Sequence, residues 1–212
     1  MADWATISSL ATAGGTLVLA IATFSSVRAA KRSTEITELA LQEQLRPVLL
    51  QSSLDDPVQK IMFGDGHWVR VDGGHAVVEA LDGIVYLAVS VRNVGAGIGV
   101  LQGWHPWSEL QVGNRDHQPV EDFRVQGRDL YIPPGGLGLW QGAMRDRAEE
   151  MHGELTRAAA ERRSFTVDLL YSDPTGGQRV ISRFSFTPGG GEDRWLASVG
   201  RHWNLDRASA RT

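Results

Sequence analysis

The 212-residue sequence contains no cysteine, and this absence removes several classes of protein at once. Without thiols the chain has no disulfides, no thiolate zinc or iron–sulfur site and no cysteine nucleophile. Lysine is nearly missing as well: Lys31 and Lys60 are the only two, and arginine supplies the rest of the 21 basic residues. The formal net charge of -4 argues against a protein whose main role is to bind nucleic acid.

The sequence also lacks the common signatures of catalysis and cofactor binding. The glycine-rich stretch NVGAGIGV over residues 93–100 has no third glycine at the dinucleotide-binding spacing. We interpret its glycines as positions where a strand packs closely against another backbone. No P-loop and no Gly-x-Ser-x-Gly elbow occurs, and the six histidines show no metal-ligand spacing. We therefore expect no catalytic residue, no cofactor and no metal.

An uncharged run covers residues 4–27. A helix of that length reaches about 36 Å, which is enough for a hydrocarbon core of about 30 Å. Many of its residues are Ala, Gly, Ser and Thr, so a buried soluble helix and an interfacial helix are alternatives. We predict a transmembrane anchor over residues 1–27, because the run lacks the polar face that an interfacial helix needs.

The charges that flank this run predict its orientation. Arg28, Lys31 and Arg32 follow the run, whereas no basic residue precedes it. A cleaved signal peptide would carry its positive charge first, and a positive flank stays in the cytoplasm. We predict a single-pass protein of the cell (inner) membrane, with its N-terminus outside, its globular part cytoplasmic and these three side chains at lipid headgroups. The small residues Ala11 and Gly15, four apart, make a homo-oligomer a further alternative.

The rest of the chain is predicted to be mainly β. Residues 28–46 form a juxtamembrane stalk helix that ends at Pro47, because the residue before a proline leaves the helical region. Residues 47–207 alternate short apolar-polar runs with glycine turns, and residues 208–212 are a tail. This texture predicts an antiparallel β-sandwich with one amphipathic helix over residues 144–163. The clearest hairpin turns at Asp82-Gly83.

The predicted strands share period-two alternation and turn residues at their ends. Residues 85–91 alternate most regularly, which predicts a strand with one face buried. A helix fits residues 194–204 almost as well as a strand does. The strands are predicted over residues 48–52, 58–63, 67–71, 76–81, 84–93, 99–104, 109–112, 120–125, 129–132, 137–143, 164–172, 178–187 and 194–204.

Two patches combine tryptophan with histidine or arginine and are the candidate binding residues. The first comprises Trp104, His105 and Trp107, and the second comprises Arg201, His202 and Trp203, with Arg194, Trp195 and Arg207 nearby. Tryptophan and arginine dominate the energetic centres of protein interfaces, so either patch can dock a partner. Tryptophan in a sandwich also fills cores with arginine stacked over it, so a structural role is the alternative.

Several stretches resemble a group of uncharacterised actinobacterial membrane-anchored proteins. They are VDLLYSDPTGGQRVISRFSF (residues 167–186), RWLASVGRHWNLDR (194–207), VYLAVSVRNVGAGIGVLQGWH (85–105) and FGDGHWV (63–69). The resemblance implies one anchored β-rich domain and an arginine-heavy composition. It implies no activity, cofactor or catalytic residue.

The leading functional hypothesis is a non-enzymatic protein whose cytoplasmic domain binds a protein partner at the inner membrane face, with the lipid bilayer as its other partner. A small-molecule sensor on the same scaffold is the first alternative. A cavity of roughly 300 Å³ or more with an aromatic lining would favour that reading. An enzyme with an unrecognised site is the second alternative, which a convergent cluster of His, Asp and Glu would favour.

We predict that an alkaline phosphatase fused at Thr212 stays inactive, because the positive flank keeps the C-terminal side in the cytoplasm. Neutral residues at positions 28, 31 and 32, combined with lysines added after Met1, should invert the orientation and switch the reporter on. Strong periplasmic activity of the unaltered fusion would contradict the predicted topology.

Overall fold

The computed structural model describes residues 4–113, 115–191 and 194–206, without the side chains of residues 4–13, 16, 18, 35, 38, 39, 42 and 43. The chain divides into two compact units, with the boundary between Gln44 and Leu45. The elements are, in chain order, α1 (Trp4–Gln44), β1 (Leu49–Gln51), β2 (Gln59–Met62), β3 (Trp68–Val71), β4 (His75–Leu81), β5 (Ile84–Asn93), β6 (Gly99–Trp107), β7 (Arg124–Ile132), β8 (Leu137–Met144), α2 (Glu150–Ala160), β9 (Phe165–Ser172), β10 (Val180–Pro188) and β11 (Trp195–Asn204).

Helix α1 is continuous over 41 residues. Hydroxyl groups within it bond back to helix carbonyls, as Thr23 Oγ1 does to the Leu19 carbonyl and Ser26 Oγ to the Ala22 carbonyl, both at 2.8 Å. No helix in the described part of the chain is long and apolar enough to cross a membrane, so the predicted anchor has no structural support there. Residues 1–3 and the Ala11 side chain, which belong to the same prediction, lie outside what the structure describes.

The second unit confirms the prediction of a mainly β, antiparallel domain. Nine strands form one sheet in the order β1–β5–β4–β11–β10–β9–β6–β7, with β8 paired to β5 as well. The remaining strands, β2 and β3, pair with each other. The large sheet curls, so that strands far apart in this order share one apolar core. That core contains Val85, Leu87, Val89 and Val91 of β5 and Phe165, Val167, Leu169 and Tyr171 of β9.

Strand β5 is buried on both faces, which corrects the prediction of one buried face. Its odd-numbered residues enter the main core as predicted. Its other face carries Tyr86 and Ala88, which pack against Ile61, Phe63, Val69 and Val71 of the β2–β3 hairpin. The Ser90 hydroxyl on this face donates a hydrogen bond of 2.7 Å to Gln59 Oε1. The hairpin therefore forms a second layer that alternation within β5 did not reveal.

Helix α2 is shorter than predicted, because Met144 ends β8 inside the core instead of starting a helix. The Asp146 carboxylate accepts a 2.9 Å bond from the Ala148 amide, so the chain turns before the helix begins. The apolar stripe is confirmed over its C-terminal part, since Leu155 and Ala158 are fully buried, whereas Ala148 is exposed before the helix begins. Residues 109–112 form no strand, and residues 120–122 form a 3-10 turn that precedes β7. Residues 194–204 are a strand, β11.

The glycine-rich stretch over residues 93–100 packs against the chain that enters the domain, which confirms its structural interpretation. A Cβ atom at Gly95 or Gly97 would overlap the carbonyl oxygens of Arg46 and Leu45. Asn93 is completely buried at the start of this stretch. Its Nδ2 donates to the carbonyls of Gly97 and Ile132 at 2.6 and 3.0 Å. Its Oδ1 accepts from the amides of Val48 and Gly95 at 3.2 and 3.0 Å. Every hydrogen-bonding position of the amide is therefore used.

We predict that Asn93→Ala destabilises the domain by at least about 2 kcal/mol, because several buried backbone groups lose their partners together. Urea unfolding followed by tryptophan fluorescence measures the change. Asn204→Ala, at an exposed position, is the matched control and should stay within about 0.5 kcal/mol of the unaltered chain. Equal stabilities of the two variants would contradict the bracing role of Asn93.

Candidate functional site

A buried ion pair lies on the outer face of the sheet. Asp168 of β9 and Arg183 of β10 stand directly opposite each other in the antiparallel register. Their flanking residues Val167, Leu169 and Phe184 point into the core, so alternation turns this pair away from it. The guanidinium donates Nε–H to Oδ1 and one terminal N–H to Oδ2, each at 2.8 Å. Both side chains are at most 3% exposed.

Two tryptophan rings enclose this ion pair. The indole Nε1–H of Trp107 donates to Asp168 Oδ2 at 2.9 Å. The Arg183 guanidinium lies 5.4 Å from the Trp107 ring centre and 4.6 Å from that of Trp203. It also donates to the carbonyls of Arg115 and Asp116 at 2.9 and 3.2 Å, which holds the loop between β6 and β7 over the sheet. We call Trp107, Asp168, Arg183, Arg201 and Trp203 the aromatic–arginine cluster.

The structure brings the two predicted patches together at this cluster. The Arg201 guanidinium stacks 4.9 Å from the Trp203 ring centre, and the His105 ring lies 5.1 Å from that of Trp107. His105 is half-buried, and burial lowers its pKa. Trp203 also packs against the buried residues Phe123, Leu170 and Ile181. The contacts indicate that the cluster serves mainly to hold the outer face together.

Some predicted site residues lie elsewhere. Trp104 points into the main core, 5.4 Å from the Trp140 ring, which corrects its placement in a surface patch. The His202 ring contacts the Ser182 hydroxyl at 2.7 Å through Nδ1, and desolvation there lowers its pKa. Successive side chains of a strand point to opposite faces, so the Trp104 ring on β6 and the His202 ring on β11 face away from the residues next to them in sequence. Arg28, Lys31 and Arg32 are exposed on α1, and Arg207 lies outside the described residues.

A groove on another side of the domain offers a more open site. A cavity of about 660 Å³ lies between β7, β8 and the turn that joins β2 to β3. A second cavity of about 380 Å³ extends along β7 toward Ile132, and Arg128 lines both. We call the two cavities together the β7–β8 groove. Trp104 and Phe63 form apolar parts of its wall, and Val125 at its rim is 85% exposed.

The groove is positively charged, although the chain as a whole is not. Its lining contains the cations Lys60, Arg124, Arg128 and Arg145 and one anion, Asp65. Arg128 has no ion-pair partner among the residues that the structure describes. Coulombic attraction for an anionic group is strongest where such charges gather in a concave surface.

Asp65 fixes one wall of the groove. Its Oδ2 accepts hydrogen bonds from the Tyr86 hydroxyl at 2.8 Å and from the Arg145 guanidinium at 3.0 Å. The Tyr86 hydroxyl, the His67 amide and Arg145 together lower the pKa of Asp65 to about 2. Burial in turn raises the pKa of Tyr86, with Asp65 adding to the effect. Asp65 is therefore ionised at neutral pH and keeps Arg145 at the rim.

Two strands face each other across the groove without pairing. Within the described residues β7 pairs with β6 alone and β8 with β5 alone. Gln126 Nε2 of β7 donates to the Gln141 carbonyl of β8 at 3.2 Å, which is a side-chain link where a sheet would have backbone bonds. The Oε1 atoms of Gln126 and Gln141 are buried and have no hydrogen-bond partner among the described residues. These oxygens are shielded from solvent, so N–H groups of a ligand reach them after the flexible glutamine side chains rotate toward the groove.

Sequence reasoning missed this groove. Arg124, Arg128 and Arg145 are scattered through an arginine-rich chain, and no spacing distinguishes them from solvated surface residues. The one available signal was the pair of glycine-containing strands on either side of the Pro133-Pro134 turn. Nothing local shows that these strands come close and fail to pair.

No protein-family model, curated protein or solved structure matches the chain. The resemblance to actinobacterial membrane-anchored proteins therefore stays a hypothesis.

We predict that Arg183→Met destabilises the chain by about 3–5 kcal/mol, because it leaves the Asp168 carboxylate buried without its counter-charge. Urea unfolding measures the loss. Adding Asp168→Leu to this variant should recover part of it, since the buried charge is then removed too. Arg179→Met breaks an exposed ion pair with Asp206 and serves as the control, with a change below about 1 kcal/mol. A similarly small loss in Arg183→Met would refute the bracing role of the cluster.

Proposed function

We propose that this chain is a non-enzymatic binding protein whose β domain docks a segment of a partner protein in the β7–β8 groove. The observation that carries the proposal is the pair of strand edges that face the groove without pairing. Free edges invite another strand, and proteins usually protect them by covering or pairing. Strand addition at a free edge is a common mode of peptide recognition.

The shape of the groove supports a polypeptide occupant. The two adjoining cavities follow β7 from Arg124 to Ile132, a path longer than a compact small molecule needs. The rim exposes Val125 and Tyr131, which provide apolar contact area. Once the side chains of Gln126 and Gln141 rotate toward the groove, main-chain N–H groups of a bound segment would satisfy their buried oxygens.

A small-molecule ligand in the same groove is the second candidate. The larger cavity exceeds 300 Å³, and Phe63 and Trp104 contribute an aromatic lining. Most of the lining is nonetheless charged, polar or glycine, whereas small-molecule sites are predominantly apolar. An enzymatic role gains no support, because the described lining contains Asp65 as its one carboxylate and no histidine.

The location at the inner membrane face is the second part of the proposal. Its support is the uncharged run over residues 4–27 followed by Arg28, Lys31 and Arg32. The fusion at Thr212 described above tests this part independently of the groove.

We predict that a benzoylphenylalanine photo-crosslinker at Val125 yields a discrete protein adduct in the native host. The rim of the groove places that side chain against any docked segment. Gel mobility and mass spectrometry of the irradiated full-length chain detect the adduct.

Two further positions serve as controls for this experiment. Leu54 is exposed in the loop between β1 and β2, outside the groove lining, and should give no adduct. Val112, exposed in the loop that Arg183 holds, reports on the aromatic–arginine cluster instead. Adducts at Val112 but not at Val125 would assign docking to the cluster and overturn the proposal for the groove.

A further inference from the structure

Resting on the proposed function, we propose that the β7–β8 groove binds an extended acidic segment of a partner protein, which adds as a strand to the free edge of β8. The free edge, the buried acceptors and the positive lining each constrain the occupant separately. Together they favour a peptide over an isolated anion and an acidic peptide over a neutral one.

The backbone of β8 shows which groups face the groove. The Gln141 carbonyl receives the Gln126 side chain, so it points toward β7 rather than toward β5. In an antiparallel strand the N–H and C=O of one residue point to the same edge, and this direction alternates along the chain. Leu139 and Ala143 therefore present their backbone groups to the groove along with Gln141. Both residues line it, Leu139 in the smaller cavity and Ala143 in the larger one.

The need for N–H donors excludes a simple anion as the preferred ligand. The Oε1 atoms of Gln126 and Gln141 are acceptors, and each is buried without a donor in the described structure. A carboxylate ion brings acceptors only, and a hydrogen phosphate ion has too few O–H donors for both oxygens and the strand edge together. A polypeptide backbone brings N–H groups at regular spacing, which can satisfy the side-chain oxygens and the edge of β8 together.

The positive charge of the groove lining favours acidic side chains in the bound segment. Four cations and one anion line the groove, and the Asp65 carboxylate holds Arg145 in place. With the Glu149 carboxylate paired to a second cation, the groove keeps an excess of two positive charges. Arg124 is positioned in a similar way, since Glu149 pairs with it and its guanidinium lies 5.4 Å from the Trp104 ring centre. Arg128, between the two cavities, keeps its charge available to a ligand. A segment with alternating acidic residues places carboxylates along this row while its other residues face the apolar rim.

The test uses four decapeptides, blocked at both ends and labelled with fluorescein, added to the purified full-length chain. EVEVEVEVEV spans about 33 Å when extended and carries the proposed pattern. QVQVQVQVQV removes the charge, KVKVKVKVKV reverses it, and EPEPEPEPEP keeps the charge but lacks alternate N–H donors. Fluorescence anisotropy measures the dissociation constants.

We expect EVEVEVEVEV to bind at least about tenfold more tightly than each of the other three peptides. Binding should weaken as salt rises from about 50 mM to about 500 mM, because salt screens exposed charge pairs. Arg128→Glu should weaken it by about fivefold or more. Arg157→Glu, the same change at an exposed position of α2 outside the groove lining, should leave it unaltered. Unchanged melting temperatures show that both variants are folded.

Each contrary result separates this inference from the proposed function. The inference that the segment is acidic is overturned if QVQVQVQVQV binds equally well, or if EVEVEVEVEV does not bind up to about 1 mM. An adduct at Val125 would then still support docking in the groove. Equal binding of EPEPEPEPEP overturns strand addition and leaves charge attraction alone. If the chain self-associates, if Arg128→Glu abolishes this self-association and if no peptide binds, the groove is assigned to a second copy of the chain. That result overturns the inference as well.

Discussion

The buried pairing of Asp168 with Arg183 is the interaction on which the outer face of the sheet depends. It joins β9 to β10, accepts a hydrogen bond from the Trp107 indole and supports the Trp203 ring. It also holds residues 115 and 116 of the loop between β6 and β7 through their backbone carbonyls. A charge pair of this kind is costly to desolvate and is kept only where its hydrogen bonds are nearly complete. Here both carboxylate oxygens are used, as are four of the five N–H donors of the guanidinium.

The same pair explains why the tryptophan patches of the sequence are poor indicators of function. Aromatic rings beside arginine occur both at interfaces and over buried cations, and composition cannot separate the two cases. In this domain Trp107 and Trp203 shield a guanidinium that already has its partners. Within the part of the chain that the structure describes, the buried polar atoms of the groove without a partner lie instead on Gln126 and Gln141, residues with no distinctive pattern in the sequence.

The alternation of apolar and polar residues was sufficient to predict most strands. It was insufficient to predict which strands lie next to each other. Alternation identified β5 with its true bounds, because the period-two pattern of its side chains is a property of one strand's sequence alone. It could not show that the β2–β3 hairpin covers the second face of β5, since that contact joins residues distant in sequence. The groove was hidden for the same reason: it arises from two strands that approach each other and do not pair. Met144 was assigned to a helix because its helical spacing to Ala148 coincided with the end of a strand.

The position of β11 in the sheet determines when the domain can complete its fold during synthesis. This last strand lies between β4 and β10, so it joins strands from the first part of the domain to strands from the end. During synthesis β4 emerges early and β10 emerges directly before β11, and the sheet stays divided between them until residues 195–204 have left the ribosome. Pairings between distant parts of a chain form late and leave strand edges exposed while they wait. A nascent chain that stalls before β11 therefore exposes the unpaired edges of β4 and β10 together.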